Sequence, residues 1–238
     1  MHHTVKTISW IPVIFAHIPD CTSTSVEIMV KAWNIYEQRD TNGLSHFLEH
    51  MFFKGWKKWS TPQAVAEAID AFGGECNAYT STEYAGYYVK SAPEFLHQSL
   101  EILADMLVDA QFPKEEMERE KWVIIQEVQM YEDNPQRNIW TKHSRRRYGD
   151  NPYWWSILGP EENIRSFTQE QLFTHKENLY TKDNLVIVVA WRLDNPWQIE
   201  EQIAALFGAL PEKKVGWALP LIHKLPEVKQ EKFVKWTQ

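Results

Sequence analysis

Leu44-Ser45-His46-Phe47-Leu48-Glu49-His50-Met51-Phe52-Phe53 is the stretch on which the reading of this chain turns. It is apolar nearly all round, the pattern of a buried helix, yet it carries H-x-x-E-H. Residues i, i+3 and i+4 are neighbours on a helix surface, so His46 and His50 can reach one metal ion with Glu49 beside it. Zinc suits such a pair: imidazole binds it well, and with three protein ligands it keeps an open position for a water whose pKa it lowers to roughly 7. Glu49 is then placed to take a proton from that water and hand it to a leaving amine. The alternative is a pair of hydrogen-bonded core histidines. Either way, three ionisable groups in a buried helix need partners, because an uncompensated buried charge is costly.

A second stretch, Glu116 to Tyr131, has no Gly or Pro and reads as a long helix. At about 100° per residue, Glu120, Ile124, Glu127 and Tyr131 fall on one line flanked by Val123 and Val128. Glu116 and Glu118 fit a solvated face. Glu127 does not, since its helical neighbours are the residues that should face the core. A metal resolves the conflict: Glu127 becomes the third ligand beside His46 and His50, and Glu120, two turns earlier, an acid that orients a ligand or the water.

With both stretches in view the chain resembles the M16 zinc metallopeptidases, the pitrilysin, insulysin and mitochondrial processing peptidase group. Asn42-Gly43-Leu44-Ser45 through Phe52-Phe53-Lys54-Gly55 is similar to that family's block around the inverted motif, and Glu127 follows 77 residues after His50. Ala68 to Thr80, Glu120 to Asp133, Leu158 to Ile164 and Tyr180 to Ala190 are similar to further family segments in the same order. The resemblance implies that His46, His50 and Glu127 hold one Zn2+ per chain, that Glu49 is the general base and that Glu120 supports the site. It also implies that Asn77, Ala78, Tyr79 and Thr80 form an edge strand beside the metal, to which substrate peptide adds by main-chain hydrogen bonds. Without a metal the same four residues would read as an ordinary edge strand.

Working outward, Ile8 to Ala16 and Ser25 to Trp33 read as strands. Thr61-Pro62 starts a helix that Gly73-Gly74 ends. Cys76 to Lys90 reads as a strand pair, Glu94 to Val108 and Lys114 to Tyr131 as helices, with a break or bend at Asn134-Pro135 before Gln136 to Tyr148. Thr168 to Asn178 is a helix, Asn184 to Ala190 a strand and Pro196 to Leu206 a last helix. Strand pairs separated by helix pairs predict an α+β domain, an antiparallel-rich mixed sheet with helices packed on one face. The domain is expected over residues 1–210, with 211–238 a linker-like tail.

The 238 residues, 44% of them apolar, suffice for a full core. A net charge of −7 argues against a nucleic-acid partner, and Arg145-Arg146-Arg147 is too short a cluster to change that. Two cysteines, Cys21 and Cys76, make no disulfide framework, which points to a reducing compartment. No signal peptide or bilayer-spanning run is seen, so a cytoplasmic protein with no membrane partner is expected. Trp56, Trp59 and Trp191 sit singly among polar residues, and Trp191 stands where the family tends to have Gly.

Family members usually have two homologous halves that close around the substrate, and this chain spans one. Either the rest has been removed, or this half pairs with another M16-type half or with a second copy in a homodimer; peptide substrates are expected besides. The activity implied is a zinc-dependent endopeptidase or oligopeptidase acting on unstructured peptides. The rival is a scaffold or partner-dependent half, whose mark would be a damaged motif; His46, Glu49, His50, Glu120 and Glu127 are all present.

Overall fold

Alternation along Thr24–Val30 (β3) buries Thr24, Val26, Ile28 and Val30 and leaves Ser25, Glu27 and Met29 half-buried, the signature of a strand covered on one face only. Leu185–Trp191 (β6) repeats that pattern. The computed structural model describes residues 2–32, 34–81, 84–192 and 196–212. Trp33, assigned above to a strand, and residues 213–238, assigned to a tail, lie outside the described residues.

The N-terminal strand reading needs correction. The chain forms a hairpin, His2–Ile8 (β1) and Ile11–His17 (β2), turning at Ser9 and Trp10 with φ of 49° and 71°. Two consecutive left-handed residues define the hairpin turn that Asn-Gly normally signals, and Ser-Trp carries no such signal. Glu75–Thr80 (β4) and Ala85–Ser91 (β5) supply the expected second pair, and the six strands run in the order β1-β2-β6-β3-β5-β4. Only β2 and β6 pair in parallel; every other neighbour is antiparallel. β4 closes one edge of the sheet.

Helices cover the face built by Val13, Phe15, Val26, Ile28, Tyr87, Val89, Ile187 and Val189, all at most 1% exposed. Leu96–Val108 (α3) packs on β3 and β5, Pro196–Phe207 (α8) on α3 and β1, while Leu44–Met51 (α1) and Pro62–Asp70 (α2) meet β4. Thr61 caps α2 by accepting a hydrogen bond from Ala64 N at 3.1 Å. Lys114–Asp133 (α4) and Pro135–Tyr148 (α5) are separate helices divided at Asn134, whose side chain accepts from the backbone N–H groups of Gln136 and Arg137. A short helix not foreseen, Glu161–Ser166 (α6), precedes Gln169–Leu179 (α7). The fold is α+β, as expected.

The surroundings of two tryptophans are not legible in the sequence, and the apolar stripe of one helix differs from expectation. Trp56 is fully buried, with its indole N–H donating to Phe52 O, and Trp191 is buried edge-on against Phe15, ring centroids 5.6 Å apart. Phe52 is four residues from Trp56, whereas Phe15 is far from Trp191 in sequence. On α4, Met117, Glu120, Ile124 and Ile125 are buried, but Val123 is 51% and Tyr131 37% exposed, so the apolar stripe is narrower than its periodicity implied. Pro211 O accepts from Lys182 N and Glu212 pairs with Lys182, so the described chain past 210 still touches the domain. Among the described residues no helix is long and apolar enough to cross a membrane.

Candidate metal centre

The centre is built where α1 lies against α4. α1 begins at Gly43, whose φ of 98° and closeness to Leu158 O, 2.6 Å from where a Cβ would sit, exclude a side chain. Its first N–H groups are satisfied by a buried carboxylate: Glu37 accepts from Gly43 N at 2.9 Å, Ser45 N at 2.7 Å and Asn42 Nδ2 at 3.1 Å. Burial, only partly offset by these hydrogen bonds, raises the Glu37 carboxyl above its ordinary range. Beside it Ser45 Oγ lies 2.8 Å from Nε2 of His175, a half-buried imidazole on α7 whose pKa desolvation lowers to about 4.

From the next residue, His46, the expected ligands converge. His46 Nε2 lies 3.7 Å and His50 Nε2 3.6 Å from Glu127 Oε2, and one ligand atom of each residue falls within 4.8 Å of the others. Those separations are too long for hydrogen bonds. They are close to the ~3.3 Å edge of a tetrahedron of N and O ligands about 2.0–2.1 Å from zinc. Burial first, and His50 second, lower the His46 pKa to about 3, so at neutral pH its ring is uncharged and offers a lone pair. His46 Nδ1 is buried with no hydrogen-bond partner among the described residues. Two neutral-capable imidazoles and one carboxylate form a donor set that fits zinc.

His50 is held differently. Its Nδ1 is 2.8 Å from Glu120 Oε1, and because an ionised carboxylate only accepts, Nδ1 carries the hydrogen and Nε2 faces Glu127 and His46. The other oxygen of Glu120 pairs with Lys54 Nζ at 2.6 Å. Burial alone would raise the Glu120 carboxyl, but the hydrogen bonds from His50 and Lys54 outweigh it and the net shift is downward. Glu49 lies on the same turn, its carboxyl raised by burial in spite of a hydrogen bond from Thr80 Oγ1.

The four residues expected to bind substrate lie on the edge strand β4, but their side chains have separate tasks. Asn77 Oδ1 accepts from Ala78 N at 2.9 Å, Tyr79 OH donates to Glu27 at 2.6 Å, and Thr80 reaches Glu49. Sequence reasoning assigned no role to Lys54, Glu37 or His175. Lys54 was within reach of it, since it stands four residues after His50 in line with the helix face that points to Glu120. Glu37 and His175 meet α1 only through the tertiary fold.

Residues 12–161 match Insulinase (Peptidase family M16). An uncharacterised zinc protease of Bacillus subtilis, YmxG, is 33% identical over 223 residues, covering 94% of this chain and 53% of that protein. A probable mitochondrial-processing peptidase subunit beta of Arabidopsis thaliana is 34% identical over 188 residues, 79% of this chain and 35% of that one. This chain thus spans about half, or less, of the length of these relatives. Among solved structures, a peptidase M16 inactive domain from Pseudomonas fluorescens superposes with a TM-score of 0.84 at 19% identity over 96% of this chain and 55% of its own, which bears on the fold alone. The matched segment covers more than half of the chain and includes the helix of His46 and His50 together with Glu127, so the chain belongs to peptidase family M16.

Proposed function

We propose that this chain is the zinc-binding half of a metallopeptidase that hydrolyses peptide bonds in unstructured peptides. The observation that carries the reading is the convergence of His46 Nε2, His50 Nε2 and Glu127 Oε2 at distances that suit ligands of one ion and are too long for hydrogen bonds. Zinc in such a site lowers the pKa of a bound water and polarises a carbonyl. Glu49 is the proton carrier: its raised carboxyl takes a proton from the attacking water and returns it to the departing amine. Thr80 fixes the direction of that carboxylate, and Glu120 fixes the ring of His50. The free edge of β4 offers main-chain groups to an extended peptide, a mode tolerant of sequence. Two free thiols, Cys21 and Cys76, suit a reducing compartment, and we place the protein in the cytoplasm on that ground.

A second reading is a half that is inert until a second half, from the same protein, another M16-type chain or a second copy, closes over it; the observation behind it is that the chain spans about half, or less, of these relatives. One experiment separates the two. Unstructured peptides are incubated with zinc-loaded chain over a range of protein concentrations, beside Glu49→Gln, His50→Ala and Glu127→Ala. Chelator-sensitive cleavage is expected, reduced by about 10²–10⁴ in Glu49→Gln at unchanged zinc content, with zinc lost from the two ligand variants. Full activity in Glu49→Gln would contradict the mechanism. Cleavage that rises faster than linearly with concentration would support closure by a second copy, and zinc-loaded chain inert at every concentration would support a half that needs a different one.

A further inference from the structure

Lys54 ends the turn that follows α1. Its backbone is fixed there: Lys54 N donates to Met51 O at 3.1 Å, and the next residue, Gly55, has a φ of 141° and lies 2.7 Å, measured from an added Cβ, from Ser60 O. Gly55 O accepts from Gln111 N, and Trp56 is buried immediately after. From this anchored position the side chain reaches Nζ to within 2.6 Å of Glu120 Oε2, while His50, one turn earlier, meets Glu120 Oε1 at 2.8 Å. One buried carboxylate, with a side chain 6% exposed, is therefore gripped at both oxygens, by the last turn of α1 and by the turn that follows it.

We propose that Lys54 is a positioning residue for the metal: by holding Oε2 of Glu120 it presents Oε1 to His50 Nδ1 and so fixes the ring that points Nε2 at the ion. This rests on the zinc reading above. Without Lys54, Glu120 loses both the partner of its second oxygen and its counter-charge inside the fold, and it can rotate away from His50. His46 has no such support, since its Nδ1 lacks a partner among the described residues, so the orientation of the imidazole pair depends on the His50 side. Groups that orient a ligand from behind typically change metal affinity by about 10–100-fold.

The sign of the effect makes the test decisive. Lys54 is a cation near a dication site, so by long-range Coulomb repulsion alone its removal would tighten zinc binding. The positioning role requires the reverse. Zinc affinity of the metal-stripped full chain is measured by competition with a chromophoric chelator for wild type, Lys54→Met, Lys54→Arg and, as a charge control, Lys58→Met, which removes an exposed cation paired with Glu101. The expected result is binding about tenfold weaker in Lys54→Met, near wild type in Lys54→Arg and unweakened in Lys58→Met. In a Glu120→Gln background, Lys54→Met should add little further loss, a coupling that general destabilisation would not produce. Should Lys54→Met not fold, Lys54→Gln is measured instead, with a loss of several-fold expected. Unchanged or tighter binding in the uncharged variants, with wild type binding zinc, overturns the role of Lys54 alone. Wild type that binds no zinc overturns the metallopeptidase reading and this inference with it.

Discussion

At the N-terminal end of α1, Glu37, Ser45 and His175 are enclosed, and burial drives the ionisable members toward their neutral forms; at the C-terminal end, Glu120 and Lys54 form an ion pair behind His50. The first arrangement satisfies the helix N–H groups and locks the loop of Asn42 and Gly43 against Leu158 and Gly159. The second acts on ring orientation and charge next to the ion site. One helix eight residues long thus has an end that fixes the backbone and an end that tunes the chemistry. His46 sits on the first, His50 on the second, and only His50 has a hydrogen-bonded carboxylate behind it.

The sharpest way to break this comparison is Glu37→Ala. It strands two backbone N–H groups in a buried site and leaves Asn42 Nδ2 with only its bond to Ser156 O, and a loss of about 3 kcal/mol is expected. Denaturant unfolding reads it, and zinc affinity of the folded fraction should stay within about twofold of wild type, as orientation of His50 does not depend on Glu37. A large fall in zinc affinity without loss of stability would merge the two ends into one network.

A smaller effect should appear with pH in the metal-free chain. His175 has a pKa lowered to about 4, against about 6.5 in the unfolded chain, so between those values the unfolded state takes up a proton that the folded state refuses. Stability therefore falls as pH drops from 6.5 toward 4, by about 2 kcal/mol at pH 5 from this residue. His175→Gln should flatten that part of the profile. Equal slopes in wild type and variant would show that burial does not hold His175 neutral.

The sequence made the short-range part of this site legible. The H-x-x-E-H spacing, and the placing of Glu120 and Glu127 on one line with Ile124, follow from helical periodicity, and His46, His50 and Glu127 are found together. Periodicity overreached at Val123 and Tyr131, because α4 buries only the side that meets α1 and its own core neighbours while the flanks stay in solvent. The Ser9-Trp10 turn was hidden because its conformation is imposed by the pairing of β1 with β2 and not by residues that favour it. Glu37 and His175 could not be read at all, since what gives each its task is a partner that only the folded chain brings near. The same holds for the parallel pairing of β2 with β6, whose strands lie at opposite ends of the sequence.

The central claim is that His46, His50 and Glu127 hold one zinc ion. X-ray absorption at the zinc edge of chain loaded with one equivalent tests it most directly. The account predicts two imidazoles with oxygen ligands at about 2.0–2.1 Å and no sulfur, and the loss of this signature in Glu127→Ala. A sulfur shell at about 2.3 Å, or a spectrum with no imidazole scattering, would contradict it.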